Sequence, residues 1–417
     1  MRILSPSWLF SGFLLLSALQ ACHAVATNRA YPKVASTWFA GWHATAEPAF
    51  PISKVSWSKY THMTYAFAET TPDVRELNLT SPDSDLLPEF VATAHKHDVK
   101  ALVSIGGWTG SRWWSSNVGS AHNRTLFVNT VVSFAKKYCL DGLDFDWEYP
   151  GNQGIGCNVI NPADSANFLA FIQELREDPV GAKLILTAAT AIVPFYGANG
   201  SPSNNVASFA CVLDWIAVMN YDIWGPWSAT VGPNAPLDDS CAPSADQVGS
   251  AVSAVNKWHS AGIPLDQIVL GVASYGHSYR VERAHVYTGG SLALYPPFVA
   301  GDQPVGDPWD DKPGVDVCNN PTRPGGIVDF WGLVWMGYLN HDGTPHKEIA
   351  HIFDNCSKTA YVYNATSQVM VSYDDAKAFS MKGSFIQSRG IRGFSMWEAG
   401  GDFNDILLDA IRRPMCF

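Results

Sequence analysis

Between Asp141 and Pro150 the chain reads Asp-Gly-Leu-Asp-Phe-Asp-Trp-Glu-Tyr-Pro. A strand sends alternate side chains to opposite faces. Asp144, Asp146 and Glu148 therefore share one face, while Leu143, Phe145 and Trp147 point the other way, toward covering helices. Three acids in a row on an inner face repel one another and lose hydration, a cost with no purpose unless a site uses them. Like charges nearby raise the proton affinity of the outermost acid, which makes Glu148 a general acid near neutral pH and leaves Asp144 and Asp146 to share a proton. No second carboxylate stands at an evident spacing to act as nucleophile, so chemistry that needs two flanking acids lacks one of them.

These acids must be held by a scaffold, and the chain supplies one in regular alternation. Short runs rich in β-branched and aromatic residues occur at Val34–Gly41, Thr61–Phe67, Lys100–Ile105, Gly142–Trp147, Leu184–Ala189, Trp215–Asn220, Ile268–Ser274 and Gly393–Trp397. Amphipathic stretches such as Asp85–His97, Thr125–Tyr138, Asp164–Glu177 and Ala245–Ala261 lie between them. Eight strand and helix units in succession predict an α/β fold, a (β/α)8 TIM barrel with the acid strand as its fourth. An open doubly wound sheet would carry a Gly-rich phosphate turn after its first strand. Here Gly151–Gly156 follows the fourth strand and reads as a loop.

The gap between the seventh and eighth strands is too long for one helix and loop. Residues 280–372 hold Pro296-Pro297, Pro321, Pro324-Gly325-Gly326, Cys318 and Cys356, with strand-like pieces at Tyr361–Tyr363 and Gln368–Tyr373. They are expected to form a small α+β subdomain on the catalytic rim, deepening an open cleft into a groove. The barrel itself takes residues 27–279 and 373–417.

Residues 1–26 have the order of a secretory signal: Arg2, an apolar run from Trp8 to Leu19, then small residues at Cys22-His23-Ala24 and Ala24-Val25-Ala26. The run falls short of the roughly 20 residues needed to span a bilayer. Leu19-Gln20-Ala21-Cys22 loosely resembles a lipobox, but Gln fits that pattern poorly. A secreted protein without membrane spans is expected. Cleavage would leave seven cysteines, an odd number, with Cys211–Cys241 and Cys318–Cys356 as candidate bridges that spacing alone cannot decide. No Cys-x-x-Cys pair is present, and His346 and His351, five apart on what reads as a surface helix, do not make a zinc motif, so neither metal nor cofactor is expected. Asn78, Asn123, Asn199, Asn355 and Asn364 each open a glycosylation sequon. A net charge of −11 argues against a nucleic-acid partner, and 21 Phe, 15 Tyr and 16 Trp supply a large packed body. Monomer is the default state.

With these residues in view the sequence resembles the glycoside hydrolase family 18 chitinases, whose signature is Asp-x-x-Asp-x-Asp-x-Glu on the fourth barrel strand. Ser104-Ile-Gly106-Gly107-Trp108 resembles the third-strand motif, Met219-Asn-Tyr221-Asp222 the sixth-strand motif, and Gly393-Phe-Ser-Met-Trp397 the eighth. The resemblance runs from about Val34 to Asp402. It implies that the substrate's own N-acetyl carbonyl supplies the missing nucleophile, through an oxazolinium intermediate and with retained configuration. Glu148 would then protonate the glycosidic oxygen, Asp146 would turn and hold the acetamido group, and Asp144 would back it by sharing a proton. Tyr221 would hydrogen-bond the acetamido carbonyl, Asp222 would contact the distorted sugar and Met219 would line the pocket floor. Trp397 would form the platform beneath the sugar, with Trp42, Phe67, Trp108, Trp227 and Tyr275 in neighbouring subsites. Ser104 would bond Asp144, and Gly107, with Gly106, would permit close backbone approach. Asp141, off the inner-face parity, would be structural.

Two positions depart from the family pattern. Trp38 stands where many members have Tyr, which would remove a hydrogen bond toward the acids, and Tyr275-Gly276-His277 stands where others have Tyr-Gly-Arg, with Arg280 or His277 to compensate. The activity implied is hydrolysis of β-1,4 bonds in chitin and chitooligosaccharides by a secreted enzyme. The alternative is a catalytically silent protein that sequesters chitin oligomers. Cleavage in the core of N-linked glycans is disfavoured by the 280–372 insertion. No appended carbohydrate-binding module is expected.

Overall fold

The computed structural model describes residues 32–79 and 83–417. The signal segment expected at 1–26 lies outside the described residues. Eight strands form the main sheet: β1 (Val34–Ala40), β2 (His62–Thr70), β3 (Lys100–Gly106), β4 (Gly142–Asp146), β5 (Ile185–Thr190), β6 (Trp215–Val218), β7 (Ile268–Ala273) and β13 (Gly393–Trp397). They pair in parallel in the order β1-β13-β7-β6-β5-β4-β3-β2, and β2 pairs back to β1, which closes the barrel. A two-residue strand, Leu77–Asn78, adds antiparallel to β2. β1, β4, β6 and β7 are buried along their whole length, as a parallel sheet covered on both faces requires.

Helices α1 (Asp83–Lys96), α2 (Ala121–Tyr138), α3 (Asp164–Glu177), α4 (Ala251–Ser260), α5 (Ala376–Arg389) and α6 (Ile406–Met415) cover the outside. Local chemistry sets several of their starts. Ser120 accepts from the Asn123 N–H and Asp375 from the Ala378 N–H, and Ser250 forms a capping box with Ser253. That box starts α4 at Ala251, six residues later than the apolar spacing predicts. Between β5 and β6 the return is made by a 3-10 turn, Ala207–Cys211, without a full helix.

The inserted segment forms a five-stranded antiparallel sheet in the order β9-β8-β12-β11-β10, with β8 at Tyr275–Arg280, β9 at Ile327–Asp329, β10 at Ala350–Asp354, β11 at Thr359–Asn364 and β12 at Val369–Tyr373. Its first strand therefore starts at Tyr275, one residue past the barrel strand β7, and not at Arg280. Tyr275-Gly276-His277 belongs to this sheet, paired with Asp329, Val328 and Ile327, and is not part of the seventh barrel strand. The sequence could not show this, because β7 and β8 form one nearly unbroken run of strand-forming residues.

Two bridges tie the insertion to loops that leave the barrel at the carboxyl ends of its strands. Cys157–Cys318 clips the loop after β4, and Cys241–Cys356 the loop after β6. Both candidate pairings, Cys211–Cys241 and Cys318–Cys356, are thereby corrected. Each cysteine of the insertion faces the barrel loop beneath it and not its neighbour in sequence. Cys211 is itself disulfide-bonded, and Cys139 and Cys416 are free and exposed. The His346–His351 stretch is not a surface helix: Pro345 bridges back to Leu339, His346 lies in a turn and His351 in β10. Among the described residues no cluster of three metal-binding side chains exists, and no helix is long and apolar enough to cross a membrane.

Where the insertion returns to the barrel, Asp374 follows β12 and its carboxylate meets Lys382 of α5, both side chains almost wholly buried. Burial pushes the Asp374 carboxyl up to about 6 against the pull of Lys382. Lys382→Met leaves that acid without its cation and should destabilise the fold by about 3 kcal/mol at pH 8. The loss should shrink at pH 4, where the orphaned acid takes a proton. Thermal unfolding at the two pH values checks this, and an unchanged midpoint at pH 8 would refute it.

Candidate active site

The acid strand lies as its alternation predicts. On its outer face Trp147 stacks on Trp114 at 5.5 Å, and Phe145 meets Phe168 and Phe171 of α3 edge-on at 5.8 and 5.6 Å. This apolar face anchors β4 and holds the opposite face rigid. On that inner face Asp144 and Asp146 are buried, and Glu148 lies just beyond the strand's end with 9% of its surface accessible.

Asp144 is bound on both oxygens. Oδ2 accepts from Ser104 Oγ at 2.8 Å and from Trp38 Nε1 at 3.3 Å, and Oδ1 accepts from Thr187 Oγ1 at 2.6 Å. Parallel register explains two of these donors, since Ser104 on β3 and Thr187 on β5 both sit level with Asp144. The third shows that Trp38 does not remove the expected bond but supplies it through its indole N–H. Burial raises the Asp144 carboxyl above its ordinary range, opposed by the three donors.

Asp146 differs. Its Oδ1 is buried with no hydrogen-bond partner among the described residues. Burial, with the neighbouring Glu148 and Asp144 charges, pushes this carboxyl well above its ordinary range. Glu148 is lifted to about 7, first by burial and then by the Asp222 charge, while a bond from Tyr149 opposes. Ser111 pins the backbone between the two acids: its Oγ donates to the Asp146 carbonyl and accepts from the Glu148 N–H, and Asn158 Nδ2 donates to the Glu148 carbonyl.

The two glycines after β3 are required by space. A Cβ on Gly106, at φ +115°, would come within 2.1 Å of the Asp146 carbonyl oxygen, and one on Gly107, at φ +80°, would strike the Phe67 ring at 2.9 Å. Phe67, Trp397 and Trp42 form a three-ring cluster, with Phe67 nearly parallel to both indoles at 5.5 and 6.0 Å and the indoles 6.3 Å from each other, which makes an aromatic floor. Trp42, Trp108 and Trp227 are 42%, 50% and 61% exposed. Met219 and Trp397 pack against the same buried cluster, which includes Tyr221, Ala273 and Tyr275. Tyr221 and Tyr275 meet edge-on at 6.1 Å, and Tyr275 donates its hydroxyl to Asp222 at 2.8 Å.

Arg280, expected as a subsite residue, lies elsewhere, and Asp141, expected to be structural, also stands outside the cluster. Arg280 is at the far end of β8, paired with Asp302 and the Ser367 carbonyl, so it does not join this cluster. The alternation along β8 sends His277 instead to Asp222, at 2.7 Å. Asp141 is at the opposite end of β4 from Glu148. Burial works to raise its carboxyl, but the Ala101 N–H, His95 and Lys100 outweigh it and hold the group below its ordinary range. The roles of Thr187, Ser111, Asn158 and Tyr149 escaped the sequence. For Thr187 the parity of β5 could have indicated it; for Ser111 and Asn158, in irregular segments, no periodic signal exists.

The arrangement joins an acid whose proton is held up to about 7, a buried carboxyl oxygen without a partner, and a partly exposed aromatic floor. The sequence profile of Glycosyl hydrolases family 18 matches residues 36–402. The chain is 51% identical to a chitinase-like effector of Moniliophthora roreri over 97% of both chains. It is 32% identical to Chitinase A1 of Niallia circulans over 76% of this chain and 43% of that one. A crystal structure of a chitinase from Rhizomucor miehei superposes with a TM-score of 0.82 at 31% identity, covering 92% of this chain and 100% of that one.

Glu148 gives a test that needs no substrate. Its folded pKa of about 7 exceeds the ordinary 4.5, so the ionised form opposes folding. The penalty is absent below about 4.5, grows as pH rises to about 7 and is complete above, at up to roughly 3 kcal/mol from about 1.4 kcal/mol per unit. Glu148→Gln should therefore match the wild type in unfolding midpoint at pH 4 and exceed it at pH 8. Equal midpoints at both values would contradict the buried, proton-holding state of Glu148.

Proposed function

The chain belongs to glycosyl hydrolase family 18, and on that premise we propose that it is a secreted chitinase, a monomer that hydrolyses β-1,4 bonds between N-acetylglucosamine units with retention. The observation that carries the proposal is the pairing of Glu148, its carboxyl near 7, with Asp146, whose buried Oδ1 has no partner. Glu148 delivers its proton to the glycosidic oxygen as the bond to C1 breaks. The acetamido carbonyl oxygen attacks C1 from the other face while Asp146 accepts the acetamido N–H, and the oxazolinium ion forms. Water then adds to C1 from the face the leaving group vacated as the C1–O bond of the oxazolinium breaks and the acetamido carbonyl re-forms, and it gives a proton to Glu148, restoring the acid. Tyr221 orients the carbonyl, and Trp397 carries the sugar on its face. The two disulfides fit an oxidising compartment and so favour secretion.

A second reading has one specific support, the chitinase-like effector that is 51% identical. In it the same cleft holds chitin oligomers without turning them over. Incubation of the mature protein with N-acetylglucosamine hexamer near pH 5, followed by NMR, separates the two. Hydrolysis is expected, with short products released in the β form, and Glu148→Gln should lower kcat by at least about a hundredfold, the low end of what a positioned acid contributes. Intact hexamer beside measurable binding would transfer the function to sequestration.

A further inference from the structure

Asp222 is the acid that the sixth-strand loop brings to the cleft, and its backbone is held in the left-handed region at φ +56°. A non-glycine residue stays there only when its surroundings fix it. The Asn234 side chain accepts from the Asp222 N–H at 2.9 Å, and the Asn234 carbonyl accepts from the Ile223 N–H at 3.0 Å. Two donors then meet one oxygen of the side chain. Tyr275 Oη and His277 Nε2 both lie within hydrogen-bond reach of Asp222 Oδ1, at 2.8 and 2.7 Å, and the Asp222 side chain remains 46% exposed. His277 is 3% exposed, its ring set edge-on to both Tyr275 and the exposed Trp227. Its Nδ1 is buried and meets no hydrogen-bond partner among the described residues. A bare nitrogen is cheaper to bury unpaired than an N–H, which places the ring proton on Nε2, toward Asp222.

We propose that His277 is a positioning residue for the hydrolytic reaction, fixing one oxygen of Asp222 so that the other faces the reacting sugar and the carboxylate's charge acts on Glu148 from a set distance. The inference rests on the chitinase reading of this cleft and adds to it a residue that acts through another. Where the family pattern has a permanently charged guanidinium, this chain has a short, rigid donor that also carries the edge of Trp227. His277 thereby couples an aromatic subsite to the acid pair.

The charged and titratable surroundings are few. Tyr275 and His277 bond Asp222 from β8 and Tyr279 of the same strand feels its charge, as do Glu148 and Tyr149 at the end of β4 and the adjoining Tyr221. Across the insertion sheet His277 faces Ile327 on β9 and Ser372 on β12, neither of which titrates. Arg280, the cation of β8, is turned to Asp302. The Asp222 charge is one of the causes that raise Glu148, so freeing Asp222 from His277 weakens that contribution.

The test compares full-length wild type, His277→Phe, which keeps an aromatic ring without the donor, and His277→Gln, which restores an N–H at about the same reach. For His277→Phe, kcat/KM on the hexamer should fall about tenfold, a loss of about 1.4 kcal/mol. The alkaline limb of its pH profile should move down by roughly half a unit, as a weakened charge interaction predicts. His277→Gln should recover most of both effects. In an Asp222→Asn background, His277→Phe should add almost nothing, since both changes act through one contact. An unshifted pH limb in His277→Phe, no recovery in His277→Gln, or full additivity with Asp222→Asn would each overturn the proposal. Should the wild type bind the hexamer without turnover, the chitinase reading fails separately. The same comparison is then made by hexamer binding, with a several-fold weakening by His277→Phe that vanishes in Asp222→Asn expected, and equal affinities overturning it.

Discussion

Everything in this protein is arranged around one unfavourable act, the burial of Asp144, Asp146 and Glu148 close together at the mouth of a barrel. Three carboxylates in a low-dielectric interior cannot all ionise. The structure meets the cost unequally. Asp144 receives three donors, two from the flanking strands β3 and β5 and one from β1, Glu148 keeps its proton up to about 7, and Asp146 is given no partner for one oxygen. The apolar face of the same strand, with Trp147 stacked on Trp114, supplies the rigidity that keeps such a cluster from relaxing. A strand is suited to this because its two faces can be given opposite chemistry at alternate positions.

The insertion serves the same cleft from the other side. β8 leaves the barrel at Tyr275 and at once places Tyr275 and His277 on Asp222, so the inserted sheet also holds part of the site. The bridges Cys157–Cys318 and Cys241–Cys356 fasten the insertion to the loops that follow β4 and β6, the two strands that deliver Glu148 and Asp222. Closing loops of more than a hundred residues restricts the unfolded chain, and it also ties the insertion to the loops that carry the acids.

What could be read from the sequence was what repeats with a fixed period. Parity along β4 placed the acids, the eight hydrophobic runs gave the barrel, and Asp164–Glu177 was marked as a helix to the residue. What could not be read depends on proximity between segments far apart in the chain. The bridges were mispaired because cysteine spacing says nothing about which loop a strand end faces. Arg280 was a candidate on account of its charge, while the alternation of β8 gave the contact to His277. The expected helix around His346 failed because Pro345 and the Gly343 turn, at φ +77°, bend the chain back on Leu339.

Trp38 shows how a departure from a family pattern can leave the chemistry in place. An indole has a donor and no acceptor, so Trp38 can bond Asp144 only while the oxygen it meets has a lone pair free. Ser104 and Thr187 also donate, and together the three donors favour the ionised form of Asp144 over its acid form. Asp146 has no such donors on Oδ1 and lies between two other acids, and burial with their charges pushes its carboxyl well above the ordinary range. In the reaction proposed above, an acetamido N–H offers that bare oxygen a donor, which favours the ionised form of Asp146 as positive charge develops on the sugar. An indole at position 38 can release its weak 3.3 Å bond without having to accept anything in return.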